Sequence, residues 1–147
     1  MENQCIFCKI VVGQMKAHVV YEDKSIIAFL DIRPRNPGHT LVIPKAHIET
    51  IFQMDDKTIT DIYKVVSKLA PIIVKAVGAN GVNTIQSNIV SQGVNHFHTH
   101  VLPRFFNDGI PIVWEGGRVA ADEELGIVET RIKSLMKVAS RTRRARS

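Results

Sequence analysis

Three histidines alternate with other residues in the run His96-Phe97-His98-Thr99-His100. They are half of the six histidines in the chain, and they fall within five positions. In a β-strand, residues two apart lie on the same face, about 6.6 to 6.8 Å from each other. The spacing therefore predicts that the three imidazoles share one face of a strand and that Phe97 and Thr99 lie on the other.

Three interpretations of these histidines compete: polar residues on a solvated strand face, a metal cluster, or a nucleophile with supporting acid and base groups. A single histidine would favour the first, but half of the chain's six histidines fall within these five positions. Neutral imidazole is available near pH 7 to attack phosphorus, and a phosphohistidine splits one difficult displacement into two easier ones. A neighbouring histidine can then pass a proton to the leaving group. This chemistry matches the spacing better than a metal alone, although the two do not exclude each other.

Both cysteines lie in the motif Cys5-Ile6-Phe7-Cys8. We expect no secretory signal, because no basic region feeding an apolar run and a cleavage site begins the chain. The two thiols are therefore expected to form half of a metal site rather than a structural disulfide. A redox-active pair is the other standard interpretation, but that motif normally opens a helix directly after a strand.

The elements that must position these residues follow from the hydrophobic pattern. Short apolar runs separated by turn formers predict five antiparallel strands, over residues 18–22, 26–32, 40–44, 82–88 and 96–103. Apolar residues at steps of three and four predict one long amphipathic helix over 55–77 and a closing helix over 122–138. Asp55 or Asp56 can cap the long helix, Gly78 can end it, and Pro71 is expected to kink it. The prediction is an α+β fold.

Length and charge limit the other classes of function. A chain of 147 residues is suited to one domain, which we place at 1–138. The remainder, 139–147, is basic and expected to be disordered. Removing its four arginines from the 19 basic residues leaves 15 against 14 acidic residues, so the net charge of +5 does not indicate a nucleic-acid surface. No apolar run is long enough for a membrane span, and we expect a cytoplasmic protein.

The histidine run, followed by Val101 and Leu102, resembles the histidine triad (HIT) motif, in which His-x-His-x-His precedes two apolar residues. Other segments resemble further signatures of that family in the expected order: CIFCKI at 5–10, AFLDI at 28–32, PGHTLVIPK at 37–45 and LPR at 102–104. The likeness spans residues 4–115. It is specific because four separated motifs agree.

The resemblance implies a homodimeric α+β protein that binds a nucleotide and attacks its α-phosphate with the middle histidine. By this resemblance His98 is the nucleophile, and His100 contacts the phosphate and assists the leaving group. His39 supports the same site from the neighbouring strand. The distal group leaves first, and water then removes the nucleotidyl group.

The resemblance also implies the nucleotide ligands. Asp31 matches the carboxylate that accepts hydrogen bonds from the ribose hydroxyls, Gln92 matches a glutamine that contacts phosphate, and Asn88 is the candidate for an upstream amide ligand. Six apolar residues match the pocket around the base: Ile6, Phe7, Ile10, Phe29, Ile32 and Leu41. The chain departs from the family in lacking a hydroxyl residue after Gln92. Thr99 also places a hydroxyl on a face that is normally aliphatic.

Some branches of the family bind zinc through a Cys-x-x-Cys pair and two histidines. By this resemblance Cys5, Cys8, His47 and His96 are the ligands of a structural zinc. Two thiolates and two imidazoles complete a tetrahedron and leave no position for catalytic water. His96 is then held by metal, while His98 stays free for phosphorus.

The leading hypothesis is a hydrolase or transferase acting on purine nucleoside phosphoramidates, dinucleoside polyphosphates or other adenylylated conjugates, with structural zinc and no organic cofactor. A nucleotide-binding or scaffold protein with incidental turnover is the alternative, and a zinc hydrolase with the triad as ligands is a third. The leaving group and the choice between adenine and guanine stay open. Trp114 and the residues after it are candidates for contacting the leaving group.

Overall fold

The computed structural model describes residues 4–111 and 118–144, with side chains described to residue 136. By its contacts the chain divides into two compact units, Met1–Ile110 and Pro111–Ser147. The single domain expected over 1–138 stays a prediction. Trp114 and the end of the basic tail lie outside the described residues.

The first unit is built on one five-stranded sheet, in which every neighbouring pair of strands is antiparallel. The strands lie in the spatial order β1-β2-β3-β5-β4. Their bounds are β1 Val19–Glu22, β2 Ile26–Leu30, β3 Thr40–Pro44, β4 Gly81–Gln86 and β5 Thr99–Arg104. The predicted five-stranded antiparallel sheet is confirmed.

The long helix α2, Asp56–Val77, also follows the prediction. Asp55 caps it by accepting a hydrogen bond from the Thr58 amide at 2.8 Å. Gly78 ends it in the left-handed conformation, with φ of 67°. The helix continues through Pro71, so the kink expected there stays a prediction. Two short elements that the sequence analysis did not predict precede it: α1, Ile6–Val11, and a 3-10 helix, Ile51–Gln53.

The two faces of the sheet carry separate cores. Alternate residues of β2 and β3, such as Ile26 and Val42, pack with α2 on one face. Their neighbours, such as Ile27 and Leu41, pack with Phe7 of α1 on the other. Because both faces are covered, the central strands are apolar at nearly every position instead of alternating with polar residues.

The prediction that all three triad histidines lie within a strand is wrong, because β5 begins only at Thr99. The Phe97 amide donates to the Ile48 carbonyl at 2.6 Å, and the His96 carbonyl accepts from the ring of His98. These backbone groups are therefore not available for the ladder between β3 and β5. The alternation of faces nevertheless persists, since Phe97 belongs to the α2 core while His98 faces the opposite side.

The second unit contains the predicted closing helix, α3, over Asp122–Arg144. It extends past the predicted end at 138, and the disorder expected over 139–147 stays a prediction. Arg118 pairs with Glu124 at its start through two hydrogen bonds of 2.8 and 2.7 Å. Within the described ranges, no helix combines the length and apolar character needed to cross a membrane.

Candidate active site and metal centre

A cavity of about 410 Å³ opens on the face of the sheet that α1 covers. One part of its wall is apolar, and its polar groups include Asp31, Gln92 and the rings of His98 and His100. All six apolar residues expected around a base line it: Ile6, Phe7, Ile10, Phe29, Ile32 and Leu41. The structure therefore brings most of the predicted nucleotide ligands together in one place.

Sequence reasoning missed several residues of this wall. They are Met15, Lys16, Ala17, Leu30, Arg33, Gly93 and Val94. The spacing of Ile6, Phe7 and Ile10 could have indicated that α1 is a helix with one buried face. Met15, Lys16 and Ala17 belong to the segment after that helix, and no sequence signal places them near the triad.

The ring of His98 is held in one tautomer. Its Nδ1 lies 2.7 Å from the carbonyl oxygen of His96, and a carbonyl can only accept, so Nδ1 carries the proton. The other nitrogen, Nε2, therefore keeps its lone pair. The ring is buried and stands edge-on to Phe7, with centroids 5.3 Å apart, and its centroid lies 4.9 Å from that of His100. In the neutral form of the triad's middle histidine, the lone pair is thus on Nε2.

His100 makes a direct contact with His39, which is buried behind the cavity wall. His39 Nε2 and His100 Nδ1 are 2.9 Å apart. Burial, together with the neighbouring His98 and His39, lowers the pKa of His100 to about 4, against the opposing effect of Asp31. Burial also lowers the pKa of His39, while the Asp31 carboxylate opposes that shift. Both rings are therefore neutral near pH 7 in the protein without ligand.

Asp31 combines a turn with a position in the cavity wall. Its Oδ1 accepts a hydrogen bond from the Arg33 amide at 2.8 Å, as in an Asx turn. Its Oδ2 faces His39 Nδ1 at 3.7 Å. The carboxylate is thus fixed by the backbone that follows it while it still lines the cavity.

The two candidate amides differ in their surroundings. Gln92 lines the cavity, but its Oε1 accepts from the Ile89 amide at 2.9 Å and its Nε2 donates to the Glu49 carbonyl. Asn88 is absent from the cavity wall, and its Oδ1 accepts from the Ile51 amide at 2.8 Å. Gln92 therefore shapes the loop next to His98, and the role of Asn88 as a nucleotide ligand stays a prediction.

A second cluster brings Cys5, Cys8, His47 and His96 together, with one ligand atom of each within 4.8 Å of the others. His96 Nδ1 lies 3.5 and 3.6 Å from the two thiol sulfurs, and His47 Nδ1 lies 3.2 Å from Cys8 Sγ. Tetrahedral zinc, with Zn–S near 2.3 Å and Zn–N near 2.0 to 2.1 Å, places sulfur and nitrogen about 3.5 Å apart. The donor set and its spacing therefore fit zinc.

A hydrogen bond at Nε2 of His96 leaves its Nδ1 available to bind metal. Its Nε2 lies 2.8 Å from the Pro44 carbonyl, to which it can only donate, so the lone pair is on Nδ1 and faces the thiols. Burial lowers the pKa of His96 to about 4. A neutral imidazole whose far nitrogen donates to a carbonyl is the usual arrangement for a histidine that binds metal.

Comparison with known proteins shows the family to which this chain belongs. The sequence profile of the HIT domain matches residues 12–107. An uncharacterised HIT-like protein of Methanocaldococcus jannaschii is 47% identical over 107 residues, which cover 71% of this chain and 82% of that protein. An adenosine 5′-monophosphoramidase of Schizosaccharomyces pombe is 36% identical over 122 residues, covering 81% of this chain and 89% of that one.

Solved structures agree with the sequence comparison. A HIT family protein from Bacillus subtilis matches with a TM-score of 0.83 at 37% identity, covering 89% of this chain and 96% of that one. A zinc-bound histidine triad protein from Mycobacterium smegmatis matches with a TM-score of 0.69 at 31% identity, covering 95% of this chain and 99% of that one. The chain belongs to the histidine triad family, and it carries the Cys-x-x-Cys motif of the predicted branch.

Proposed function

We propose that this chain is a nucleotidyl hydrolase or transferase that acts at the α-phosphate of a purine nucleoside phosphoramidate, dinucleoside polyphosphate or other adenylylated conjugate. The observation that carries the proposal is the tautomer of His98. Its Nδ1 proton is committed to the His96 carbonyl, so the lone pair on Nε2 is the group offered for attack. That ring lines a cavity whose other walls provide an apolar surface and a carboxylate.

In the proposed complex, the base lies against the apolar wall formed by α1, β2 and β3. The Asp31 carboxylate accepts hydrogen bonds from the ribose hydroxyls. These contacts place the α-phosphate at the triad, beside Gln92 and the Gly93 backbone. Binding the nucleoside in this way turns the attack of His98 into a reaction between two held groups.

The reaction then proceeds in two displacements. His98 Nε2 forms a bond to phosphorus, the bond from phosphorus to the leaving group breaks, and its electron pair goes to the leaving nitrogen or oxygen. His100 provides the proton that a basic leaving group requires. Water next attacks phosphorus and gives a proton to the His100 ring. The P–N bond to His98 breaks, and its electron pair returns to His98 Nε2.

Structural zinc at Cys5, Cys8, His47 and His96 is part of the proposal, supported by the donor set and its spacing. When bound, zinc would supply a tetrahedral cross-link with no open position for catalytic water. His96, once held there, fixes the carbonyl that selects the tautomer of His98.

We also propose that the enzyme is a homodimer, as the family resemblance implies. β4 ends the sheet order, so its outer backbone groups can pair with those of a second copy. Tyr63 and Ile72 of α2 are 43% and 55% exposed. The cytoplasmic location, the absence of an organic cofactor and the absence of nucleic-acid partners stay predictions.

The central test is the substitution His98→Asn. This substitution removes the proposed nucleophile. Because the covalent route is then lost, we expect the rate of AMP release to fall by on the order of 1,000-fold or more. Mass spectrometry of acid-quenched wild type should show a nucleotidyl adduct on this histidine that the variant lacks, while AMP binding survives. His18→Asn, at an exposed histidine, is the matched control.

The same assay separates the rival functions. A scaffold with incidental turnover would show no adduct and little loss in the variant. A zinc hydrolase with the triad as ligands would lose all turnover on metal removal. A panel of adenosine and guanosine conjugates, assayed for release of the nucleoside monophosphate, identifies the base and the leaving group.

A further inference from the structure

We infer that His39 and Asp31 form a proton relay behind His100, which serves substrates whose leaving group must be protonated. The inference rests on the proposed function and deepens it, because it names the substrates that need the relay. His39 is not part of the cavity wall and is 5% exposed, so it acts through His100 as a positioning residue.

The first observation is that His39 Nδ1 faces both a donor and an acceptor. The Arg35 amide donates to it at 3.3 Å, and Asp31 Oδ2 lies 3.7 Å away. Both distances are longer than an optimal hydrogen bond. When the ring is neutral, its Nδ1 accepts a hydrogen bond from the Arg35 amide. When the ring is cationic, its Nδ1–H faces the Asp31 carboxylate. His39 therefore has a partner in either protonation state, which a purely structural histidine does not need.

The second observation is the direct contact between the two rings. Since the Arg35 amide requires a lone pair on His39 Nδ1, neutral His39 carries its proton on Nε2 and donates to His100 Nδ1 at 2.9 Å. His100 in turn must carry its own proton on Nε2, the nitrogen that is not bonded to His39. The neighbouring ring thus selects the tautomer in which His100 is a donor.

The charged and titratable groups that face the two rings are Asp31, Arg35 and His98. Burial keeps both rings neutral in the free protein. An anionic phosphate in the cavity opposes that effect, so substrate binding favours uptake of one proton by the pair. The charge is expected on His39, because Asp31 is its counter-ion.

The proton transfers then balance. His100 Nε2–H passes to the leaving atom, which holds the electron pair of its broken bond to phosphorus. His39 Nε2–H passes to His100 Nδ1, and His39 becomes neutral while it keeps its Nδ1 proton next to Asp31. In the hydrolytic step His100 Nε2 takes a proton from water, and its Nδ1 proton returns to His39. The pair is then cationic again.

A metal held by Asp31, His39 and His100 is the competing explanation, since one ligand atom of each lies within 4.8 Å of the others. Two imidazoles on one tetrahedral zinc would have their nitrogens about 3.3 Å apart. The observed 2.9 Å between the rings is instead a hydrogen-bond distance.

The test compares two conjugates of AMP, a phosphoramidate of a primary alkylamine and a 4-nitrophenyl ester. The amine must leave protonated, whereas nitrophenolate needs no proton. For His39→Gln, whose amide can still donate to His100 but cannot relay a proton, we expect turnover of the amine conjugate to fall roughly 30- to 100-fold. Turnover of the ester should change by less than about threefold. His18→Gln is the control for the same substitution at an exposed position.

The pH profile provides a second measurement. Turnover of the amine conjugate should decline as pH rises through the pKa of the substrate-bound pair. Asp31→Asn removes the counter-ion, which destabilises the cation, so this decline should move to lower pH. An equal loss for both conjugates in His39→Gln, or an unmoved profile in Asp31→Asn, would overturn the relay.

Nitrogen-15 NMR of the histidine rings tests the inference without turnover. We expect His39 and His100 to carry Nε2 protons in the free protein and the pair to take up one proton when AMP binds. Failure of the wild type to cleave either conjugate would contradict the proposed function, and the NMR result would still decide the relay. The relay would be contradicted if the rings carry their protons on other nitrogens or if no proton is taken up when AMP binds. It would also be contradicted if the wild type holds a metal that His39→Gln loses.

Discussion

At the scale of single residues, this chain uses backbone carbonyls to choose which nitrogen of a histidine carries the proton. The His96 carbonyl does this for His98, and the Pro44 carbonyl does it for His96. Each carbonyl can only accept, so each leaves the opposite nitrogen with a lone pair. Two neighbouring histidines of the same motif are thereby directed to different proposed tasks, attack on phosphorus and binding of metal.

The side chain of Thr99, unlike those of His96 and His98, is a buried polar group without a hydrogen bond. It is completely buried, and among the described side chains its Oγ1 is a buried polar atom without a hydrogen-bond partner. Such a group costs about 1 to 3 kcal/mol. We expect Thr99→Val to raise the free energy of unfolding by about 1 kcal/mol, measured by urea denaturation.

The matched control is Thr40→Val on the adjacent strand. Thr40 is equally buried, but its Oγ1 donates to the Gly38 carbonyl at 2.8 Å. Removing that hydrogen bond leaves a carbonyl unpaired, so the same substitution should lower stability by about 1 kcal/mol. If Thr99→Val lowers stability as well, then the hydroxyl has a partner, such as a buried water.

At the scale of elements, the turn between β2 and β3 determines where His39 lies. Gly38 has φ of +83°, and a Cβ built on it would lie 2.9 Å from Val77 Cγ1 and 3.2 Å from Ile73 Cγ2. The turn therefore packs directly against the end of α2. This contact places His39 immediately before β3, within reach of His100 on the paired strand β5.

Gly38→Ala should therefore be costly for two reasons, the left-handed backbone and the close contact. We expect a loss of roughly 2 to 4 kcal/mol in thermal or urea unfolding. Gly13→Ala is the control, because Gly13 has φ of +73° but no atom within 4 Å of the added methyl. It should lose only the backbone part, about 1 kcal/mol. Equal losses would show that packing against α2 contributes nothing.

At the scale of the whole molecule, the metal cluster joins segments that are far apart in the chain. Cys5 and Cys8 come from the N-terminal segment, His47 follows β3, and His96 precedes β5. The Phe97 amide and the Gln92 side chain add hydrogen bonds to the segment around His47. Metal bound at this cluster would thus hold the loop that carries the proposed nucleophile without taking part in the proposed displacement.

Removal of zinc should therefore affect stability more than catalysis. We expect chelation to lower Tm by about 10 °C, because metal that binds only the folded protein stabilises it by RT ln(1 + [L]/Kd), and chelation removes that contribution. Turnover per folded molecule should fall by less than about threefold. Calorimetry and an assay well below Tm measure the two quantities.

The variant with Cys5→Ser and Cys8→Ser is the control for chelator effects, and its Tm should not change when chelator is added. Metal analysis of purified wild type should give one zinc per chain. Absence of zinc, or a loss of turnover much larger than the loss of stability predicts, would contradict a purely structural role.

The sequence by itself determined much of this protein. Apolar periodicity identified the sheet and α2, because a helix or strand must bury one face whatever surrounds it. The motifs around His98 identified the family, and the cysteine spacing suggested half of a metal site. These features are local, so they can be read within a few residues.

Tertiary structure decided the rest, because the deciding contacts join residues far apart in the chain. The β5 strand begins at Thr99 because Phe97 donates to Ile48, a partner 49 positions earlier that no local pattern reveals. The contacts of His39 with the Arg35 amide, with Asp31 and with His100 depend on a turn packed against α2 and on the pairing of β3 with β5. The sequence identified the histidines of the candidate site. The folded chain determined which nitrogen of His98 keeps its lone pair, because it places the His96 carbonyl against Nδ1.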